Sequence, residues 1–157
     1  EHTMNKLEID IVTLKPMRII SAYGFGPEPE GIAAQKITAF GIKHELFTPS
    51  EPQGTFGFNN PDPSPGSPNY GYEIWLPVGP EIEPEDDLRV IKFSGGLYAV
   101  TNFTGLSKIG PVWGELVKWR EASKYRHGNH QWLEELLVSP DTPLDEYEFN
   151  LYIPISE

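Results

Sequence analysis

Residues 75–78 read Trp75-Leu76-Pro77-Val78, and residues 152–155 read Tyr152-Ile153-Pro154-Ile155, so the two halves of the chain end in the same pattern. An aromatic residue, an aliphatic residue, a proline and a second aliphatic residue recur in the same order after 77 positions. Self-similarity at a fixed spacing indicates a duplicated structural unit. We therefore predict two copies of one unit, over residues 7–80 and 86–157.

Two predicted helices match in the same way. Each has three apolar residues separated by four and then three positions, which places them on one helical face. The first helix is predicted over residues 31–46, and the second begins near Gly110-Pro111, because proline suits the first turn of a helix. Residues 79 positions apart correspond, namely Ala33 with Val112, Ile37 with Leu116 and Phe40 with Trp119.

Seven segments have the alternating or apolar character of strands. They are residues 7–13, 17–23, 70–78, 88–93, 97–103, 132–138 and 148–155. We expect the fourth and fifth to form a hairpin that turns at Ser94-Gly95-Gly96, and Met17 to correspond to Leu97, 80 positions later. The proline- and glycine-rich residues 48–69 and 77–84 are predicted to be connections.

The repeat predicts where a ligand would bind. If each half packs its helix against its own strands, the two halves join around a pseudo-twofold axis and leave a groove between them. Grooves at such junctions are a usual place for small ligands.

The composition excludes several classes of protein. The 157 residues include 12 Lys and Arg against 23 Asp and Glu, which gives a formal net charge of -11. Binding along a phosphate backbone depends on Lys and Arg, so we expect no direct nucleic acid partner. The chain has no cysteine, which excludes disulfides and cysteine-ligated zinc, and no apolar run long enough to span a membrane. A soluble, cytoplasmic protein without a cofactor is expected.

Six segments, in this order, resemble one known family. They are Leu14-Lys15-Pro16-Met17-Arg18, Tyr72-Glu73-Ile74-Trp75-Leu76-Pro77-Val78, Gly96-Leu97-Tyr98-Ala99-Val100, residues 113–119, Trp132-Leu133-Glu134-Glu135-Leu136 and Leu151-Tyr152-Ile153-Pro154-Ile155. Together they resemble the GyrI-like small-molecule-binding domains, also called AraC-type or bacterial-transcription-activator effector-binding domains. The resemblance covers nearly the whole chain.

The resemblance implies an α+β fold, in which a tandem pseudo-twofold repeat of strand-helix-strand-strand units forms one curved antiparallel sheet of about eight strands with two main helices. In many relatives this domain follows a helix-turn-helix module. The few residues before the duplicated unit here are too few for such a module. We therefore expect residues 4–157 to be a single effector-binding domain without a DNA-binding domain, similar to the stand-alone members.

The resemblance also implies a ligand site. Drug-binding members place one acid in the groove, on the strand after the second helix, and Glu134 is at that position. Strand alternation puts Trp132 and Leu136 on the same face as Glu134. A carboxylate in an apolar, aromatic site is poorly compensated until a cation arrives, so the expected ligand is cationic and lipophilic.

Four further candidates come from the last strand of each half. The resemblance implies that Tyr152 contacts the ligand, and Asn150 lies on the same face, where some relatives have a second acid. Because Trp75 and Glu73 correspond to Tyr152 and Asn150 in the repeat, we expect both to contribute from the first half. Trp75 and Tyr152 are alternatively plain core residues, since large aromatic side chains in strands are usually buried.

Trp113 is one position off the apolar face of the second helix, so it either lines the groove or packs in the core. His127 and His130 lie three residues apart, but without cysteine or an adjacent acid they do not indicate a metal site, and none is expected. Further aromatic candidates, for which core packing is the expected role, are Tyr98, Phe56 and Phe58.

Three functions are open on these grounds. The first is an effector-binding protein that binds small cationic or amphipathic molecules through Glu134. The second is enzymatic, because some stand-alone relatives resemble hydrolases that open strained electrophilic rings, such as cyclopropane-bearing compounds. Glu134 would then be the general base, with a pKa raised by burial. The third is a regulatory module that binds a protein partner, which an apolar groove too shallow for a ligand would favour.

Overall fold

The computed structural model describes residues 7–46, 55–137 and 143–157, and this part of the chain forms nine strands and two α-helices. The strands are β1 (Asp10–Leu14), β2 (Met17–Gly26), β3 (Thr55–Asn59), β4 (Tyr70–Val78), β5 (Arg89–Phe93), β6 (Gly96–Thr104), β7 (Arg126–His127), β8 (Leu133–Leu136) and β9 (Glu148–Ser156). The helices are α1 (Pro29–Lys43) and α2 (Ile109–Ala122), and short 3-10 turns lie at Leu106–Lys108 and Leu144–Glu146. Neither α-helix is long and apolar enough to cross a membrane.

The helices begin and end where local chemistry favours it. Helix α1 has Pro29 in its first turn, where the missing backbone donor costs nothing, and Glu30 beside it. Lys43 is in the last turn, where a cation interacts favourably with the helix dipole. The end of the predicted strand 132–138, at Val138, lies outside the described residues.

The strands form one antiparallel sheet in the order β1-β6-β9-β8-β3-β4-β2-β5, and β7 adds to β9. The predicted α+β class, with two helices on a curved antiparallel sheet, is confirmed. Helix α1 packs on β2 and β4 through Ile37, and α2 packs on β6 and β9 through Leu116. The registers of the paired strands place both helices on the same face of the sheet.

The two halves exchange their first strands. Strand β1 pairs with β6 of the second half, and β5 pairs with β2 of the first half. The predicted hairpin at Ser94-Gly95-Gly96 is therefore wrong, since β5 and β6 do not pair and stand near opposite ends of the strand order. A Cβ on Gly95 would lie 2.2 Å from the Leu14 carbonyl oxygen, so the link between β5 and β6 passes directly against the end of β1. The short link from β5 to β6 brings the two ends of the strand order close together, so the sheet is curled.

The two faces of the sheet correct the predicted alignment of the halves. Met17 packs on one face, whereas Leu97 packs on the face that carries α2, so Met17 does not correspond to Leu97. A separation of 79 positions fits β2 and β6, since it matches Ile19 with Tyr98 on the first face and Ile20 with Ala99 on the helix-bearing face. The last strands of the two halves keep the separation of 77 positions.

Strands β3 and β7 are absent from the predicted elements, and β3 lies within residues 48–69, which are predicted to be a connection. Its pattern Phe56-Gly57-Phe58 alternates, but it is short and has glycine at its centre. Phe56 pairs with Trp75, and Leu133 pairs with Tyr152, so β3 is the counterpart of β8.

These two counterpart strands pair with each other, with Gly57 opposite Glu134. Gly57 and Glu134 are themselves counterparts, 77 positions apart. The pseudo-twofold axis of the domain therefore passes between them, on the face that carries both helices.

The opposite face of the sheet is covered by a cluster of buried aromatic and aliphatic side chains. Four pairs of rings in it lie within 5.7 Å of each other, centroid to centroid. The cluster, here called the aromatic core, comprises Ile19, Phe56, Phe58, Trp75, Phe93, Tyr98, Val100, Leu133 and Tyr152. Phe56, Phe58 and Tyr98 are thus core residues, as expected.

The contacts of the helices predict matched losses of stability. Ile37 and Leu116 are counterparts, 3% and 0% exposed, and each replacement by alanine is expected to lower the free energy of unfolding by about 2–5 kcal/mol. Ile42 lies on the same helix as Ile37 but is 66% exposed, so Ile42→Ala should change it by less than about 0.5 kcal/mol. Urea denaturation of the three variants measures these differences, and a loss in Ile42→Ala equal to that in Ile37→Ala would contradict the packing described.

Candidate functional site

Glu134 lies at the centre of the helix-bearing face and accepts hydrogen bonds on both carboxylate oxygens. The hydroxyl of Tyr72, on β4, donates to Oε1 at 3.0 Å. The indole Nε1 of Trp113, on α2, donates to Oε2 at 3.0 Å. Side chains from both halves of the molecule therefore meet at one carboxylate.

Tyr72 reaches Glu134 only because the strand between them carries a glycine. Strand β3 separates β4 from β8, and Gly57 lies between the two side chains. A Cβ on Gly57 would lie 2.2 Å from the Tyr72 hydroxyl oxygen and 2.7 Å from Cζ, which is closer than any real contact. The Tyr72 side chain thus passes directly over the backbone of Gly57 to reach Glu134.

The electrostatic environment opposes the charge on Glu134. Burial raises the pKa of this carboxyl, the hydrogen bonds from Trp113 and Tyr72 lower it, and the nearby Glu30 carboxylate raises it again. Burial and the Glu134 carboxylate also raise the pKa of Tyr72 well above its ordinary value, so Tyr72 donates as a neutral phenol. No ion pair among the described residues involves Glu134. The carboxylate is hydrogen-bonded but its charge is not neutralised.

Glu30 is the second acid on this side of the molecule. It lies in the first turn of α1, is exposed, and accepts hydrogen bonds from the Tyr70 hydroxyl at 2.7 and 2.9 Å. The bond to Glu30 raises the pKa of Tyr70 to about 12. Glu30 therefore adds negative potential near Glu134 while remaining in contact with water.

A chain of ring contacts connects Trp113 to a buried cation. The Trp113 and Trp132 ring centroids lie 5.4 Å apart, and the Arg120 guanidinium lies 5.0 Å from the Trp132 centroid. Arg120 is 5% exposed, and its Nη1 donates to the Pro154 carbonyl oxygen at 2.8 Å. Trp132 itself is 37% exposed, so it lies at the rim of the site with one face already bound to a cation.

The structure places four of the eight predicted site residues on the face of Glu134. Glu134 and Trp113 are in direct contact, and Trp132 contacts Trp113. Leu136 is half-buried and shares the face of Glu134, as strand alternation predicts, but it pairs with Thr55 and lies farther along β8.

The other four lie on the opposite face of the sheet, where the structure does not bring them to Glu134. Trp75 and Tyr152 belong to the aromatic core and are 6% and 7% exposed. Glu73 is buried there as well, and it accepts hydrogen bonds from the Asn60 amide at 2.6 Å and from the Trp75 indole at 3.1 Å. The expected single groove lined by all eight residues is thus divided by the thickness of the sheet.

Asn150 is hydrogen-bonded to a second carboxylate on that face, that of Glu135. Its Nδ2 donates to Oε1 of Glu135 at 3.2 Å, and the Tyr152 hydroxyl donates to the same oxygen at 2.5 Å. Burial and the bond to Glu135 raise the pKa of Tyr152. Asn150 and Tyr152 thus hold Glu135, the immediate neighbour of Glu134 that points the other way.

Tyr72 and Gly57 are the site residues that the sequence analysis missed. Tyr72 was read only as part of a strand motif, and Gly57 lay in a segment assigned to a connection. The repeat contained a signal for both, since the 77-residue separation pairs Gly57 with Glu134. That signal was hidden because the strand around Gly57 was not recognised.

Metal binding is not indicated by the described side chains. No group of three or more His, Asp or Glu among residues 7–46, 55–137 and 143–157 is arranged to hold a metal ion. His127 contacts Glu121 at 2.5 Å, and His130 contacts the Leu97 carbonyl oxygen at 2.7 Å. The two histidines hold the turn around β7.

The raised pKa of Glu134 predicts a pH-dependent effect of its removal. The folded state binds this proton more tightly than the unfolded chain, so the ionised carboxylate destabilises the fold above its folded-state pKa. Glu134→Gln keeps an acceptor and stays neutral. We expect it to melt at a higher temperature than the parent at pH 7, with the difference shrinking as the pH falls towards the ordinary glutamate pKa of 4.5.

Thermal denaturation at pH 7 and pH 4.5 measures this effect. Glu135→Gln is the matched control on the same strand, since it makes the same charge change on the opposite face. A lower melting temperature of Glu134→Gln at pH 7 would show that the carboxylate stabilises the fold.

Comparison with known proteins places this geometry in a family. A family model of integron-associated effector binding proteins, Cass2, matches residues 10–155. No curated protein sequence matches the chain.

Solved structures with the same fold cover almost the whole chain. The EcmrR C-terminal domain is 12% identical, with 96% of this chain and 98% of that chain covered and a TM-score of 0.73. A hydrolase from Listeria innocua is 14% identical, with 98% and 94% covered and a TM-score of 0.70. SAV2435 bound to tetraphenylphosphonium is 14% identical, with 96% and 94% covered and a TM-score of 0.57.

At these identities the structural likeness establishes the fold alone. The family model, in contrast, extends from the first residue of β1 to within one residue of the end of β9. The chain therefore belongs to the family of integron-associated effector binding proteins, with the GyrI-like effector-binding fold that its sequence resembles.

Proposed function

We propose that this protein binds a small lipophilic organic cation at Glu134. One observation carries the proposal, namely a carboxylate at the junction of the two halves that has a neutral hydrogen-bond donor on each oxygen and no cationic partner among the described residues. Tyr72 and Trp113 each donate one hydrogen bond but leave the charge of Glu134 uncompensated. A ligand that carries a positive charge supplies what the protein does not.

The burial of Glu134 determines which kind of cation binds there most favourably. A strongly hydrated cation loses much of its solvation energy in a half-buried aromatic site, whereas an organic cation with its charge spread over apolar groups loses little. The raised pKa of Glu134 shows that water does not fully stabilise its charge. Lipophilic cations are therefore favoured over metal ions or free ammonium groups.

The indoles next to Glu134 support the same ligand class. The Arg120 guanidinium already lies 5.0 Å from the Trp132 ring centroid, so a ring in this cluster binds a cation within the protein itself. Trp113 lies between that ring and the carboxylate. A ligand at Glu134 contacts Trp113, and attraction to one aromatic face contributes about 0.5–2 kcal/mol.

The number of carboxylates on this face favours a ligand with a single positive charge. Glu73 and Glu135 face the other side of the sheet and are engaged with their own donors. Glu30 is exposed and bound to Tyr70. Glu134 is thus the one acid positioned to contact a ligand directly among the described residues, and we expect no preference for dications.

Tetraphenylphosphonium is a suitable probe, because it is a lipophilic monocation and is the ligand of one solved structure with the same fold. Titration followed by tryptophan fluorescence should show saturable binding, since Trp113 and Trp132 lie at the site. Glu134→Gln is expected to weaken binding at least tenfold, which corresponds to about 1.4 kcal/mol.

Glu135→Gln again serves as the control, because it removes the same charge from the opposite face. It should bind the probe within about twofold of the parent, less than 0.5 kcal/mol. Equal affinities of the parent and Glu134→Gln would reject the proposal. Absence of binding altogether would favour the protein-partner module, the third function considered above.

Hydrolysis is a second candidate, favoured by the raised pKa of Glu134. A carboxylate whose pKa is raised by burial is a better general base for water near neutral pH. The water oxygen would bond to a carbon of a strained electrophilic ring as a ring bond breaks. Glu134 would accept the proton of the attacking water and return it to the ring atom that keeps the electron pair of the broken bond. Incubation with a cyclopropane-bearing compound separates the two functions, because turnover by the parent that is lost in Glu134→Gln indicates an enzyme, and binding without product indicates a receptor.

A further inference from the structure

The position of Gly57 carries a further inference about how a ligand contacts Glu134. The pseudo-twofold axis passes between these two residues, which occupy equivalent places in the two halves. One half supplies a carboxylate at this place, and the other supplies a residue without a side chain. The asymmetry leaves a space above the β3 backbone that the Tyr72 hydroxyl now fills.

We propose that the cationic group of the ligand, with the apolar groups that surround the charge, approaches Oε1 of Glu134 over Gly57, in the place of the Tyr72 hydroxyl. Gly57 is then a specificity-determining residue, because any side chain there would fill the space that the ligand needs. This inference rests on the proposed function and specifies the side from which the cation enters.

Access to the carboxylate is the first argument. Each carboxylate oxygen accepts one hydrogen bond from a side chain, from Tyr72 at Oε1 and from Trp113 at Oε2. A cation comes into closest contact with an oxygen when it takes the place of one of these donors. Displacement of one donor is therefore the step that gives a ligand direct contact with Glu134.

The contacts of the two donors decide which one moves. Trp113 packs against Trp132, which is held in turn by the buried guanidinium of Arg120. The Tyr72 hydroxyl makes one hydrogen bond among the described residues, the one to Glu134. Moving the Tyr72 hydroxyl breaks one hydrogen bond, whereas moving Trp113 breaks a hydrogen bond and the ring contact with Trp132, so Oε1 is the oxygen that becomes free.

Electrostatics also favours the replacement of the Tyr72 hydroxyl by the cation. A neutral phenol leaves the carboxylate and a cation takes its place, so a charge–dipole contact is replaced by a charge–charge contact in a half-buried site. The displaced phenol ring remains next to the space and offers an aromatic surface to the cation. No bond is formed or broken covalently in this step.

Two substitutions test the inference with opposite expected results. Gly57→Ala places a methyl group in the proposed space, and we expect tetraphenylphosphonium to bind at least tenfold more weakly. Tyr72→Phe removes the hydroxyl that the ligand displaces, so binding at pH 8 should be equal to or tighter than that of the parent. The measurement is made at pH 8 because loss of a donor raises the pKa of Glu134 further and lets protons compete at lower pH.

Gly114→Ala is the matched control, since it makes the same change on the exposed side of α2, where an added Cβ has no neighbour within 4 Å. It should bind as the parent does. In Gly57→Ala the added methyl group fills the proposed space and also crowds the Tyr72 ring. Comparison of Tyr72→Leu with the double variant Gly57→Ala/Tyr72→Leu isolates the first effect, because neither variant has the tyrosine ring. The added methyl should still weaken binding at least fivefold between these two variants, and folding of each is checked by thermal denaturation.

The outcomes distinguish the inference from the proposed function. If Glu134→Gln weakens binding but Gly57→Ala binds as the parent does, the cation binds at Glu134 by another approach and the inference is overturned. Equal affinities of Tyr72→Leu and the double variant overturn it too, as does a Tyr72→Phe variant that loses binding as Glu134→Gln does. If Glu134→Gln leaves binding unchanged, the proposed function itself fails.

Discussion

The pairing of β3 with β8 is the contact on which the rest of the structure depends. It joins the central strands of the two halves directly, and it brings Gly57 opposite Glu134. Without it, the carboxylate of one half would have no partner from the other. Tyr72 and Trp113 meet at Glu134 because this pairing fixes the distance between β4 and α2.

The thickness of the sheet separates two kinds of polar site. On one face, Glu73 and Glu135 are held among the aromatic core by donors that come mainly from the sheet itself. On the other, Glu134 lies between the helices with two neutral donors. A buried carboxylate whose hydrogen bonds are made within the core orders the structure. The carboxylate at the junction of the two halves is the one that we propose contacts a ligand.

Local patterns predicted much of the architecture. The helices were found from apolar spacing and the repeat from matching residues, because both signals lie within short segments of sequence. The hairpin at Ser94-Gly95-Gly96 was wrong because pairing depends on partners about 80 positions away, which local alternation does not identify. Strand β3 was missed because glycine and nearby prolines look like a connection, although its neighbours across the sheet supply the missing stability.

The sequence by itself determined the duplicated unit, the family resemblance and the shared face of Trp132, Glu134 and Leu136, since periodicity follows from backbone geometry. Only the tertiary structure decided that Trp75 and Tyr152 face away from Glu134 and that Tyr72 reaches it over Gly57. The physical reason is that these relations depend on strand order and on which side of the sheet each helix packs. Neither is encoded in the spacing of residues along one strand.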